Sequence, residues 1–142
     1  MKYLILILCL TIQAHANLIV FGNQTVNITG DMDIGYLVTK DNSIANLYNL
    51  TDKWAVVALM ASDNSTVNLY VDSYVLSNSG GRYGTGYVYG NWANSVPFRI
   101  ELGNGFGGEP DWDTASHLRL IVPEPATVLM LSMLILFRSK DV

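Results

Sequence analysis

Short runs of β-branched and aromatic residues, separated by turn-forming residues, constrain the fold of this chain more than any other feature. In residues 17–122, Asn, Gly, Ser and Thr account for 39 of the 106 positions, and Asn and Gly at this density favour tight turns. The turn signals recur at intervals of roughly 8–12 residues, which is typical of all-β sandwiches and barrels. We therefore predict an all-β fold with nine candidate strands, at Leu18–Phe21, Thr25–Thr29, Met32–Thr39, Ile44–Leu50, Trp54–Ala61, Thr66–Leu76, Tyr83–Tyr89, Val96–Leu102 and His117–Val122.

A single antiparallel β-sandwich with a jelly-roll-like topology is the favoured architecture. One repeat supports an alternative, because Thr25-Val26-Asn27 followed by Asp31 is echoed 41 residues later by Thr66-Val67-Asn68 followed by Asp72. Repeats of this kind occur in β-solenoids, which need at least three recurring units to be stable. Two such units stand out in the sequence, so the short β-solenoid is kept as the alternative.

The first sixteen residues have the pattern of an export signal. Lys2 supplies a positive charge, Tyr3–Ile12 is an apolar segment, and Ala14-His15-Ala16 is an A-x-A cleavage site. We expect a signal helix here and a mature chain that begins at Asn17. The single cysteine, Cys9, lies within this signal, so the mature segment contains no disulfide and relies on its core for stability.

The opposite end carries a second hydrophobic segment. The apolar run over residues 126–137 is 12 residues long, whereas a comfortable bilayer span needs roughly 17–25 residues. Pro123 and Pro125 interrupt regular structure before the run. Arg138 and Lys140 follow it, as expected for a tail held on the cytoplasmic side. The segment is predicted to be a short hydrophobic helix that is separate from the domain before it.

Together, Val122-Pro123-Glu124-Pro125-Ala126-Thr127, the short apolar run and the basic end resemble the PEP-CTERM sorting signal of bacteria that make extracellular polymer. The resemblance implies recognition by an exosortase-type enzyme in the membrane and cleavage near Pro123-Glu124-Pro125. An ordinary tail anchor and a buried C-terminal helix are the alternatives. The chain is thus divided into a signal peptide (1–16), an all-β extracellular domain (17–121) and a sorting signal with a short transmembrane helix (122–142).

The domain between the two signals is acidic. Residues 17–122 contain 5 Lys and Arg against 10 Asp and Glu, which gives a net charge near −5. Binding of nucleic acid needs basic patches on the protein, and binding of anionic lipid needs clusters of basic residues. The composition therefore argues against nucleic acid as a partner and offers no basic stripe for anionic lipid.

Residues suited to catalysis are few. The mature segment has no cysteine and one histidine, His117, which excludes a Cys-His pair and a multi-histidine metal site. Glu101 and Glu109 could form a glycosidase pair, and a small secreted hydrolase would need a cleft that gathers these groups with Asp111 or His117. No local motif supports such a cleft, and we predict that the protein is not an enzyme.

An acidic loop is the candidate metal site. Glu109, Asp111 and Asp113 alternate with Pro110 and Trp112, and carboxylates at every second position could hold Ca²⁺. Calcium sites take about 6–8 oxygen ligands, and the three carboxylates alone fall short of that number. A solvated acidic loop is therefore the favoured interpretation, and no other cofactor is predicted.

A tyrosine-rich segment is the candidate binding surface. On a strand, Tyr83, Thr85, Tyr87 and Tyr89 would share one face, and Trp92 follows them. Tyrosine rings offer a flat apolar face that stacks on sugar rings and a hydroxyl at the edge. These residues form a candidate carbohydrate-binding platform, although tyrosines at two-residue spacing more often close a core or cover a sheet.

These features predict an exported bacterial surface or extracellular-matrix protein without catalytic activity. It would be held transiently at the inner membrane by its C-terminal helix and processed through the Pro-Glu-Pro signal. It would then pass to the cell surface or the matrix, in association with exopolysaccharide. A carbohydrate-binding module that uses the tyrosine-rich strand is the alternative, and a small secreted hydrolase is a weaker one.

Overall fold

The protein is represented by a computed structural model that describes residues 16–83, 85–103 and 113–124. This part of the chain contains nine strands and one short 3-10 helix. The strands are β1 (Ala16–Val20), β2 (Thr25–Gly30), β3 (Ile34–Thr39), β4 (Ile44–Leu50), β5 (Val56–Ala61), β6 (Thr66–Ser77), β7 (Tyr87–Trp92), β8 (Pro97–Leu102) and β9 (Leu118–Ile121). The 3-10 helix, Thr114–His117, directly precedes β9.

The first six strands form three coils that stack on one another, here called the coil stack. β1 pairs with β3 and β3 with β5, while β2 pairs with β4 and β4 with β6, and all four pairings are parallel. Equivalent residues are 19 positions apart between the first and second coils and 22 positions apart between the second and third. Each coil therefore consists of two strands joined by a tight turn, and neighbouring coils are hydrogen-bonded to each other.

The tight turns share one geometry in all three coils. Gly22, Asp41 and Asp63 adopt positive φ angles of 66°, 58° and 59°, a region that Gly, Asn and Asp tolerate better than other residues. The Asp41 carboxylate accepts a hydrogen bond from the Gly22 N–H at 2.8 Å, and the Asp63 carboxylate accepts one from the Asp41 N–H at 3.2 Å. Each aspartate thus binds the turn of the preceding coil, which holds the three turns in one column.

Two ladders of asparagine side chains run along the coil stack. Asn46 Nδ2 donates to Asn27 Oδ1 at 2.9 Å, and Asn68 Nδ2 donates to Asn46 Oδ1 at 2.8 Å. A second ladder links the turn asparagines through bonds of 3.2 Å, at Asn23, Asn42 and Asn64. Identical amide side chains bond to one another in this way only when the strands are parallel and in register, so the asparagines help to specify the stacking.

The hydrophobic core lies between the two columns of parallel strands. Leu37 and Leu59 from one column and Leu47 and Leu69 from the other are fully buried and belong to a single apolar cluster. Alternation along each strand directs these side chains inward. Burial of each leucine contributes about 1.5–3 kcal/mol, so the coils are held together by their shared core as well as by the ladders.

The second half of β6 leaves the coil stack. From Val71 onward β6 pairs antiparallel with β7, with a register irregularity between Val71 and Ser73 that marks a β-bulge, and β7 pairs antiparallel with β8. β8 returns to pair in parallel with β5, and β9 pairs in parallel with β6. The strand order β1-β3-β5-β8-β7-β6-β4-β2 therefore forms one nearly closed, barrel-like sheet. We call β7, β8 and the part of β6 after the bulge the antiparallel region.

The prediction of an all-β fold is confirmed, whereas the antiparallel β-sandwich is not. Each coil advances the chain by one strand spacing along the stack, so β1 hydrogen-bonds to β3 of the next coil instead of to β2, its neighbour in sequence. Parallel pairing of successive coils is the arrangement expected for a short β-solenoid, which was the alternative prediction. The antiparallel region departs from that repeat.

The signal helix predicted within residues 1–16 lies outside the described part of the chain except for Ala16, and the C-terminal helix predicted over residues 126–137 lies wholly outside it. Among the residues that the structure describes, no helix is long and apolar enough to cross a membrane. The division into signal peptide, domain and sorting signal stays a prediction.

Candidate functional site

Strand β7 directs its tyrosines to the outer side of the sheet. Val88 is fully buried, whereas Tyr89 is 41% exposed and Tyr87 is half-buried, as alternation along a strand requires. Tyr87 pairs with Glu101 and Tyr89 pairs with Arg99 on the neighbouring strand β8. These four side chains therefore lie together on one outward surface, which we call the tyrosine face.

The tyrosine face is held in place by its own polar contacts. The rings of Tyr87 and Tyr89 are stacked, with 6.0 Å between centroids and 26° between planes. The Arg99 guanidinium lies 4.4 Å from the centroid of the Tyr87 ring, and its Nε donates to Glu101 Oε1 at 2.9 Å. The other oxygen of Glu101 accepts the backbone N–H of Arg82 at 2.8 Å. Cation–π and charge-assisted bonds thus orient the rings before any ligand arrives.

A groove of about 480 Å³ lies beside the tyrosine face, and we call it the outer groove. Tyr74, Gly90 and Phe98 lie in one row across its three strands. Gly90 has no side chain and Phe98 is buried, so the sheet backbone forms the floor at these two positions. The walls are the outward side chains on either side of that row, namely Ser73, Val75, Tyr89, Asn91, Pro97 and Arg99.

The outer groove combines an aromatic wall with polar and cationic groups. Tyr89 supplies the aromatic surface, and Asn91 Nδ2 donates to Ser73 Oγ at 3.1 Å. Lys53 and Arg99 are the charged residues among those that line the groove, and the described lining includes no carboxylate. Because Arg99 is ion-paired with Glu101, the positive charge of the groove in this acidic domain comes mainly from Lys53.

Gly90 permits the close approach of β7 to β6 that forms the groove. A Cβ atom at this position would lie 1.9 Å from the backbone oxygen of Ser73 and 2.8 Å from the Cα of Tyr74. The strand that Gly90 allows to approach β7 is β6. The bulge in β6 and this glycine together shape the groove floor.

Trp92 does not belong to the binding surface. It is 1% exposed and stacks on Phe98, with 4.3 Å between ring centroids. Trp92 lies four positions after Val88 and three positions after Tyr89, so alternation along the strand places it on the inward face with Val88. Its indole nitrogen has no hydrogen-bond partner among the described residues, and its role is in core packing.

Tyr83 lies outside the predicted tyrosine row, because β7 begins at Tyr87. Gly86, with a φ angle of 122°, interrupts the extended chain between the two tyrosines. The Tyr83 hydroxyl instead donates to the hydroxyl of Tyr36 at 3.4 Å. This hydrogen bond, with a smaller contribution from burial, raises the pKa of Tyr83 above its usual value. The predicted row of Tyr83, Thr85, Tyr87 and Tyr89 is therefore divided into two parts.

The two described groups considered for catalysis, Glu101 and His117, make structural contacts. Both carboxylate oxygens of Glu101 are occupied, and His117 Nδ1 lies 2.8 Å from the carbonyl oxygen of Ser65. Glu109 and Asp111 lie outside the described residues, and the Asp113 carbonyl accepts bonds from Ser116. Within the described ranges, no group of three His, Cys, Asp or Glu side chains could hold a metal ion.

The predicted processing sites lie at or beyond the ends of the described chain. Asn17 is the second residue of β1, and Ala14 lies outside the described part. Val122, Pro123 and Glu124 follow β9 in an exposed, irregular segment. The remaining residues of the sorting signal, Pro125, Ala126, Thr127, Arg138 and Lys140, lie beyond the described residues.

Of the residues that line the outer groove, only Tyr89 was predicted as a binding residue, and Val75 and Lys53 show why the others were missed. Val75 was placed on a regular strand, and the bulge after Val71 changes which face it occupies. Lys53 lies in the loop between β4 and β5, far from the groove strands in sequence. No local pattern marks either residue.

Comparison of the chain with protein-family models, curated proteins and solved structures found no significant match.

Proposed function

We propose that this is an exported surface or matrix protein without catalytic activity, whose β-domain binds polysaccharide along the outer groove and the tyrosine face. The observation that carries the proposal is the oriented Tyr89 ring at the wall of an open groove of about 480 Å³. The Pro-Glu-Pro signal supplies the route by which the domain reaches exopolysaccharide, through an exosortase-type enzyme.

The chemistry of the groove suits a sugar polymer. A flat aromatic ring covers the apolar face of a sugar ring, and amide and hydroxyl groups bond to the hydroxyls around its edge. Tyr89 supports the first contact, and Ser73 and Asn91 support the second. Lys53 and Arg99 favour polymers that carry carboxylate groups, because the cations and the carboxylates attract one another. An open groove also accepts an internal segment of a long chain.

Binding is tested with immobilised neutral glucan and immobilised polygalacturonate. Tyr89→Ala removes the aromatic wall, and we expect retention to weaken by about tenfold or more, because buried aromatic anchors dominate binding energy. Phe21→Ala is the matched control, since Phe21 is exposed to 56% and does not line the groove. If the wild-type protein binds neither polymer, or if Tyr89→Ala binds as well as the wild type, polysaccharide binding through this groove is refuted.

Processing is tested separately by mass spectrometry of the exported protein. We expect a C-terminus near Pro123-Glu124-Pro125, in the segment whose described residues are exposed and irregular. Replacing Pro123 and Glu124 with alanine should leave the tail attached. An exported wild-type protein that still carries residues 138–142 would contradict the sorting proposal and leave the binding proposal untouched.

A further inference from the structure

The first coil, which consists of β1, β2 and the turn between them, lies at one end of the coil stack. β1 and β2 occupy the two ends of the strand order, so each pairs with one described strand only. The remaining edge of each strand carries backbone N–H and C=O groups for which the described chain provides no strand. Both free edges belong to the same coil and face the same direction along the stack.

These edges lack the usual protection against pairing. Edge strands of monomeric proteins commonly carry lysine or another charge, a proline, or a bulge that turns the edge away. Between Asn17 and Gly30 the sequence contains no charged residue and no proline, and the register irregularities fall at the ends of the strands. In the first coil, Gly22 occupies the turn position that Asp41 and Asp63 fill in the next two, so even the turn is uncharged.

The asparagine ladders end at the first coil, where side-chain amide N–H groups have no acceptor among the described residues. Asn23 and Asn27 each accept a bond from the next coil, and no described residue accepts a bond from their own amide nitrogens. Ile19 is in register with Val38, and Val38 with Met60. Val38 and Met60 are 6% and 4% exposed, whereas Ile19 is 59% exposed. Within the described part of the chain, the end of the stack therefore has backbone, amide and apolar groups that no other residue covers.

We propose that the first coil is a self-association edge on which a second copy of this chain docks its own first coil. Charge favours a second copy. The domain is acidic and two copies repel each other over most of their surfaces, whereas the first coil carries no charged side chain and its edges are self-complementary. A two-fold axis pairs an edge strand with its own copy in the antiparallel direction, which uses the same backbone groups on both copies.

The assembly is a closed dimer because the other end of the stack lacks matching edges. There, β9 pairs only with β6 among the described strands, but β8 has both edges occupied, by β5 and β7. A head-to-tail contact could therefore pair only one of the two edge strands of the first coil. A head-to-head contact pairs the first coil completely and leaves no edge for a third copy, and it leaves the outer groove of each copy open to its ligand.

The dimer is tested by analytical ultracentrifugation of the exported protein over a range of concentrations. Ile19→Lys together with Thr25→Lys adds charge to both edge strands, at exposed side chains that make no polar contact with the described residues. We expect this double variant to raise the dissociation constant of the dimer by about tenfold or more. Asn78→Lys together with Ser79→Lys adds the same charge in an exposed segment outside the strands and should dimerise like the wild type, and circular dichroism checks that all variants fold.

Hydrogen exchange locates the contact without any substitution. In the wild-type dimer, we expect the backbone amides of β1 and β2 that point away from β3 and β4 to exchange more slowly than in dilute monomer. A wild-type protein that stays monomeric up to about 1 mM, or that dimerises with unchanged exchange in β1 and β2, overturns the proposal. Higher oligomers that grow with concentration refute the closed dimer, and association that requires added polysaccharide refutes the neutral edge as its cause.

Discussion

The coil stack and the antiparallel region are built from the same kinds of residues but by different means. In the coil stack, Asn27, Asn46 and Asn68 occupy one equivalent position and bond to one another, so each coil repeats the contacts of the last. In the antiparallel region, a bulge and a close glycine contact set the geometry. The regular part supplies a rigid support, and the irregular part supplies the concave surface with aromatic and cationic groups.

The largest expected effect is on the core that both regions share. Leu47→Ala removes a fully buried side chain from the coil stack, and we expect a loss of about 3–4 kcal/mol in the free energy of unfolding. Urea denaturation measures the change. Ile44→Ala is the control, because Ile44 lies on the same strand and is 36% exposed, and it should cost much less. Equal losses would show that the two columns do not pack through Leu47.

Gly90→Ala tests whether the antiparallel region depends on close backbone approach. The new Cβ would meet the Ser73 carbonyl oxygen at 1.9 Å, and we expect a loss of about 2–3 kcal/mol together with loss of polysaccharide retention. Gly22→Ala is the matched control in the coil stack, because its φ angle is positive but no atom lies within 4 Å of the added carbon. It should cost about 1–2 kcal/mol and leave retention unchanged.

Asn46→Ala tests the ladder of the coil stack. It removes two side-chain hydrogen bonds, to Asn27 and from Asn68, and we expect a loss of about 1–2 kcal/mol with polysaccharide retention intact. Asn78→Ala, in an exposed segment, should change stability by about 0.5 kcal/mol or less. If both variants behave alike in thermal and urea unfolding, the ladder does not contribute to the stacking.

The smallest expected effect is a change in titration that leaves stability nearly unchanged. The Tyr36 hydroxyl holds the pKa of Tyr83 above its usual value, so Tyr36→Phe should lower that pKa. Because the folded-state pKa is raised, the contribution to stability is complete below the unfolded-state pKa of about 10 and is lost as pH rises through the folded-state value. NMR titration of ring-labelled tyrosines measures the shift, with Tyr48→Phe as the control.

The sequence contained the coil repeat, but unequal spacing concealed its middle unit. The recognised offset of 41 residues between Thr25-Val26-Asn27 and Thr66-Val67-Asn68 spans two coils, one of 19 residues and one of 22. The intervening unit, Ile44-Ala45-Asn46, shares only its asparagine with the other two. Hydrophobic alternation predicts strands but does not show whether neighbouring strands run parallel or antiparallel. With the middle unit of the repeat concealed, the sandwich was therefore the favoured architecture.

The candidate site was predicted in part for a similar reason. Alternation along a strand is local, so the sequence predicted that the side chains of Tyr87 and Tyr89 share a face. The same alternation, continued to Trp92, places that side chain on the opposite, buried face. The position of Lys53 and the bulge before Tyr74 depend on contacts between distant strands. Such contacts leave no pattern in the neighbouring residues.

The sequence alone determined the all-β class, the approximate positions of most strands and, along the regular strands, the division of side chains between core and surface, because these follow from turn chemistry and a two-residue period. Tertiary structure decided that successive coils pair in parallel, that Gly90 lies against Ser73, and that Lys53 joins Arg99 at one groove. These features depend on which strand edges meet, and that choice depends on the hydrogen bonds and apolar burial of the whole chain.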